Sequence, residues 1–122
     1  MQDFQKLRVW QRAQSLTVAI HAATQHMSGA HAAGLRSQLR RAAASIAANI
    51  AEGAAQATPA QFARFLQVAI GSAAELRSHL DLARRLGTLP EARCVMLEVE
   101  AEELTRMLVV LVRRVRQSTT AR

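Results

Sequence analysis

A chain of 122 residues and 13.3 kDa, half hydrophobic and a fifth charged, is long enough for one core and too short for two. Five glycines and two prolines exclude a disordered or collagen-like chain, and a single cysteine, Cys94, excludes an internal disulfide framework and fits a reducing compartment. Sixteen Lys and Arg against nine Asp and Glu give a net charge of +7, a balance that draws polyanions unless it only reflects an Arg- and Ala-rich composition.

Four helices are expected, over about residues 4–27, 34–52, 59–86 and 90–117. In the first, Leu7, Trp10, Ala13, Leu16, Ile20, Ala23 and Met27 recur by three or four, the spacing of one helical face. Asp3 is its expected N-cap, and Ser28-Gly29 ends it. The second repeats Leu35, Leu39, Ala42, Ile46 and Ile50, with Gly53 as a left-handed stop. The third opens on Thr58-Pro59-Ala60-Gln61: Thr58 as N-cap, Pro59 at the first helical position, Gln61 completing a capping box. Its seam of Phe62, Leu66, Ala69, Ala73, Leu76, Leu80 and Ala83 runs to Gly87. The fourth follows the cap signal Thr88-Leu89-Pro90-Glu91 and continues through Leu97, Leu104, Leu108, Leu111 and Val115, its acids preceding its arginines as the helix dipole favours. Short breaks force consecutive helices to run antiparallel. Residues 1–122 are therefore expected to form a single all-α domain, an up-down-up-down four-helix bundle.

Met107 to Val112 is apolar around the whole helix, where a bundle helix needs one stripe. Val9, Val18, Val68 and Leu82 also lie off the expected seams. Self-association is the simplest account, with Met107, Val109, Val110 and Val112 forming the contact between copies of a homo-oligomer.

Polar residues inside the bundle carry a second pattern. Arg41, Ser45, Asn49 and Glu52 recur by four, four and three on the second helix, and Ser72 and Glu75 interrupt the third. With the turn centred near residue 56, antiparallel partners sum to about 112, which sets Arg41 near Gly71 and Glu75, and Glu52 near Arg64. Arg41, Ser45, Asn49, Glu52, Arg64, Ser72 and Glu75 are thus read as a register-fixing network, with Gly71 permitting close helix approach. A carboxylate metal site would need the Glu-x-x-His pattern of di-metal bundles, but Ala55 and Ser78 stand three residues after Glu52 and Glu75. His21, His26, His31 and His79 lack metal-ligand spacing, no serine sits in a nucleophile elbow, and no glycine-rich phosphate loop occurs. No metal, no cofactor and no enzyme activity are expected.

The arginine clusters are Arg36 and Arg40, Arg84 and Arg85, and Arg113, Arg114 and Arg116. They are the expected contacts for RNA or DNA phosphates. One Trp, three Phe and no Tyr leave few rings to stack bases, so such binding is expected to be shape-driven and salt-sensitive. No apolar run approaches ~18 residues and the first six residues lack signal-peptide character, so a cytoplasmic location without a membrane partner is expected.

Several segments carry a family resemblance: Leu7-Arg8-Val9-Trp10-Gln11-Arg12-Ala13, Gly34-Leu35-Arg36-Ser37-Gln38-Leu39-Arg40-Arg41-Ala42, Ser45-Ile46-Ala47-Ala48-Asn49-Ile50-Ala51-Glu52-Gly53, Phe62-Ala63-Arg64-Phe65-Leu66 and Gly71-Ser72-Ala73-Ala74-Glu75-Leu76. Together, through Leu86-Gly87, they resemble the bacterial four-helix-bundle family encoded by intervening sequences of 23S ribosomal RNA genes, over residues 4–115. The resemblance implies a closed bundle that assembles into a ring, typically a homopentamer. It also implies kinship with the accessory variability protein of diversity-generating retroelements, a basic pentamer that binds reverse transcriptase and nucleic acid. No catalytic residues come with it. Met27-Ser28-Gly29-Ala30-His31 lacks the Phe-Pro and acidic residue common in the family, and Ala55-Gln56-Ala57 replaces a more polar, often basic turn, which weakens the case for RNA contact there.

Charge and resemblance together point to a non-enzymatic, oligomeric nucleic-acid or ribonucleoprotein interaction module working through clustered arginines. Its expected partners are further copies of itself, RNA or DNA, and a nucleic-acid-processing protein. The alternative is a scaffold ring that recruits a partner protein without binding nucleic acid.

Overall fold

The computed structural model describes residues 2–120, with side chains through Ser118. Its elements in chain order are a 3-10 turn, Phe4–Lys6, then α1 (Arg8–Thr24), α2 (Ala32–Ala54), α3 (Pro59–Leu86) and α4 (Glu91–Thr120). The expected first helix is therefore two pieces. Asp3 does cap, but it caps the short turn, accepting from Gln5 N at 3.1 Å, and Leu7 is extended before α1 begins. Gln2 N donates to Ala54 O at 2.8 Å, and the Phe4 ring meets Trp10 edge-on at 5.0 Å, which ties the start of the chain to the end of α2.

The third helix forms as its end signals predict. Thr58 Oγ accepts from Gln61 N at 3.2 Å, Pro59 opens the helix, and Gly87 closes it at φ 70°. The second helix does not stop at Gly53. It continues to Ala54, and positive φ among the described residues occurs only at Gly29 and Gly87. Gly53 is needed for space instead: a Cβ there would lie 2.8 Å from Phe65 Cβ and 2.9 Å from Phe62 Cδ1, so its lack of a side chain lets α2 and α3 close up. Gly71 does the reverse of what its position implied, since a Cβ there meets nothing within 4 Å. Thr88 turns back to donate to Ala83 O at 3.2 Å, while Pro90 O accepts the amides of Arg93 and Cys94 in the first turn of α4.

Each helix packs on the next and α4 returns to α1, which closes an antiparallel bundle. Ile20, Leu39, Ile46, Ile50, Leu66, Leu76, Leu80, Leu104 and Leu108 fill its centre, each stabilising the fold by roughly 1.5–3 kcal/mol relative to exposure. Two expectations change here. Val9 is not off the seam but buried in the core, and Val112, expected between copies, is 3% exposed and packs inside its own bundle. At 100° per residue, Leu108 and Val112 continue the inward stripe of Leu97, Ala101 and Leu104, leaving Val110 as the outward member of the apolar run. Among the described residues no helix is long and apolar enough to cross a membrane.

Cys94 is fully buried, and burial pushes its thiol pKa up. At pH 8 it is expected to resist a disulfide-exchange reagent such as DTNB in the native protein and to react stoichiometrically in denaturant. Rapid native labelling would show that the start of α4 opens locally.

Candidate nucleic-acid interface

The bundle has two ends. One gathers the start of α1, the end of α2, the start of α3 and the end of α4, as the shared cleft of Gln2, Ala54, Thr58, Phe62, Arg114 and Ser118 records. The other gathers the opposite termini, where Thr88 approaches Gly29 and Arg84 reaches Glu91 at 3.9 Å. The arginine clusters expected from the sequence fall at both ends and behave differently.

At the second end Arg36, Arg40, Arg84 and Arg85 are engaged within the fold, whereas Arg93, in the first turn of α4, is exposed and makes no side-chain bond among the described residues. Arg36 donates from Nε to Thr24 O at 2.8 Å and from NH2 to Met27 O at 3.0 Å. Arg40 reaches Thr24 Oγ1 at 3.0 Å and His21 O at 3.3 Å. These guanidinium groups supply donors to carbonyls in the last turn of α1 and, at Met27, in the segment after it, and set positive charge at the helix's negative pole. Arg84 and Arg85 both hold Asp81, Arg85 at 2.7 Å. Their hydrogen bonds, Arg85's the larger influence, keep the Asp81 carboxyl below the usual carboxylate range, and Asp81 raises Arg84 in turn.

The first end is different. Arg113 and Arg114 are exposed and, among the described residues, make no side-chain hydrogen bond or ion pair. The same holds for Lys6, Arg8 and Arg64. Arg116 is exposed on the same turns of α4. Arg8 is the first residue of α1, and the first turns of α1 and α3 contain no acid. A carboxylate is the stabilising choice at a helix N-terminus, so a cation there leaves that pole open to an external anion.

The expected polar network forms in part. Ser45 and Ser72 share a hydrogen bond of 2.9 Å, and Asn49 Nδ2 donates to Ser45 O and Oγ at 2.8 and 3.1 Å. Arg41, Glu52 and Arg64 stay outside it, exposed and unlinked among the described residues. Glu75 pairs along its own helix with His79 at 3.5 Å rather than with Arg41. The residue that sequence reasoning missed is Arg12. Its NH2 bridges Glu103 at 2.8 Å and Glu100 at 3.1 Å, which raises its pKa and fastens α1 to α4. Arg12→Ala is expected to lower stability by about 1 kcal/mol in chemical denaturation, a modest value because the bridge is partly solvated. Asp81 was missed as well, although its spacing of three and four from Arg84 and Arg85 is a readable ion-pair signal.

Among the described residues no group of His, Cys, Asp or Glu is placed to hold a metal ion. The fold defines the class, an antiparallel four-helix bundle with Lys6, Arg8, Arg64, Arg113 and Arg114 unpaired among the described residues at one end. The chain belongs to the 23S rRNA-intervening sequence protein family, whose model matches residues 5–110. It is similar to a protein of unknown function from the S23 ribosomal protein family of Bacteroides thetaiotaomicron, known from a crystal structure, at 21% identity and a TM-score of 0.75. That similarity covers 85% of this chain and 97% of the other. A search of the curated proteins finds no match.

Proposed function

We propose that the protein is a non-enzymatic interaction module that holds RNA or DNA through phosphate contacts and works as an assembly of identical chains. The contacts are Lys6, Arg8, Arg64, Arg113 and Arg114, with Arg116 beside them. The observation that carries this reading is that Arg36, Arg40, Arg84 and Arg85 are engaged by the fold at one end, while Lys6, Arg8, Arg64, Arg113 and Arg114 make no side-chain bond to another described residue at the other. The ring of five implied by the resemblance is one form such an assembly takes.

Fluorescence anisotropy with structured RNA and with duplex DNA across a salt series tests the reading. Binding is expected to weaken linearly in a log–log plot, with a slope of about −0.9 per phosphate neutralised on duplex DNA. Absence of binding at low salt, or binding indifferent to salt, rejects it.

A further inference from the structure

The apolar run from Met107 to Val112 has an outer half that the bundle core does not use. α1 begins only at Arg8, because Leu7 is extended and the chain before it crosses to the end of α2. α4 runs on to Thr120, so its later turns lack the helical cover that α1 gives its middle. Arg12 holds the two helices together at Glu100 and Glu103, and its NH1 lies 3.8 Å from Met107 Sδ. Beyond that clamp the seam opens into a groove of about 470 Å³, within the size range of ligand clefts. Leu7, Val9, Met107, Val110 and Leu111 form its floor, and Val110 is 44% exposed. Arg8, Arg106 and Arg114 border it, and among the described residues no acid lines it. Arg106 is held by Glu102 at 2.9 Å, whereas Arg8 and Arg114 make no side-chain bond among the described residues.

An apolar floor bordered only by cations is complementary to an anionic occupant with an uncharged, partly apolar body. We infer that the groove takes an unpaired base of a bound RNA or DNA strand, with the flanking phosphates on Arg8 and Arg114. The positive charge does not stop at the groove: Lys6, Arg64 and Arg113 at the same end continue it, which suits a repeating anion better than a single headgroup. Base faces are apolar enough to lie on aliphatic side chains, and a guanidinium plane stacks on them as well. The groove can therefore hold a base although no aromatic ring lines it. Arg114 also lines the neighbouring cleft of Thr58 and Phe62, so one guanidinium borders both surfaces that a strand crosses at this end. In a paired duplex the bases are stacked inside and only the backbone reaches the groove. A base must be unpaired to enter. The inference names the form of nucleic acid and rests on the proposed phosphate binding; it does not depend on how copies of the chain assemble.

Two RNA hairpins of one stem sequence test it, one fully paired and one with a single unpaired purine in the stem, each titrated by fluorescence anisotropy across a salt series. The bulged hairpin is expected to bind about tenfold tighter with the same salt slope, because the phosphate contacts are common to both. Val110→Asn makes the floor polar and is expected to reduce that preference to about twofold or less. Val68→Asn, at a similarly exposed valine on α3, is expected to leave the preference unchanged. Both substituted side chains are exposed, and helical circular dichroism verifies folding. A photoreactive benzophenone group in place of Val110 is expected to link to the bulged strand at its unpaired base. Equal affinity for the two hairpins, a preference untouched by Val110→Asn, or a link to a second copy of the chain rather than to the strand overturns the groove's role while phosphate binding stands. Binding of neither hairpin at low salt, or binding indifferent to salt, overturns both.

Discussion

Gly53→Val is expected to lower the melting temperature by roughly 5–15 °C, the consequence of 1–3 kcal/mol of overpacking in a small domain. The atoms a new Cβ would meet are Phe65 Cβ, Phe62 Cδ1 and, at 3.3 Å, Phe62 O. Two of these are fixed to the backbone of α3, so relief requires the helices to separate rather than one side chain to swing aside. Separation would also loosen Ala54 and Phe62, both buried at this end, and the bond from Gln2 to Ala54. Gly71→Ala provides the contrast. A Cβ there meets open space, and replacing an interior helical glycine by alanine stabilises by about 0.8–1 kcal/mol. Thermal unfolding followed by circular dichroism should therefore move in opposite directions for the two variants. Equal shifts of the same sign would show that close approach at Gly53 is not what holds α2 against α3.

These glycines also mark what the sequence made readable and what it did not. The limits of α3 were legible because both ends carry local chemistry, a Thr-Pro start and a glycine that adopts φ 70°. Gly53 has the same composition signal as Gly87, but a helix-ending glycine and a glycine that admits a neighbouring helix look alike until the neighbour is known. The same ambiguity hid the break at Leu7, since Asp3 reads identically before a 3-10 turn and before an α-helix. Register suffered in turn. Counting from the turn set Gly71 opposite Arg41, whereas the bond between Ser45 and Ser72 fixes a different alignment, determined by how closely the helices approach. Ser45, Asn49 and Ser72 came together because they lie beside the interface. Glu75, Arg41, Glu52 and Arg64 are exposed, where water competes with any ion pair and the geometry is not imposed. For the arginines, the sequence located the charges but could not show which were engaged. That Arg36 and Arg40 serve α1 follows only once the last carbonyls of that helix lie beside them.

Reversing the charge of Arg113 and Arg114 together is expected to weaken RNA or DNA binding by one to two orders of magnitude at moderate salt. Each lost phosphate contact should also make the log–log salt slope about one unit shallower. The fold should be little affected, since both side chains are exposed, neither bonds to another described residue, and both precede the last turn of α4. Arg36→Ala/Arg40→Ala is expected to do the opposite. It removes donors from buried or half-buried carbonyls at the end of α1, so stability should fall by about 1–3 kcal/mol while the salt slope of the remaining folded protein stays near that of the parent. Arg84→Ala/Arg85→Ala releases Asp81 as an unopposed carboxylate at the same end and should likewise leave the slope unchanged. Anisotropy titrations at four or more salt concentrations, each with a melting curve, separate these outcomes. If loss of Arg84 and Arg85 flattens the slope as much as reversal of Arg113 and Arg114, phosphates are met at both ends of the bundle and engagement within the fold does not exclude an arginine from the interface. If only the α4 pair does so, the side chains without partners in the folded chain are the ones that take their partners from the ligand.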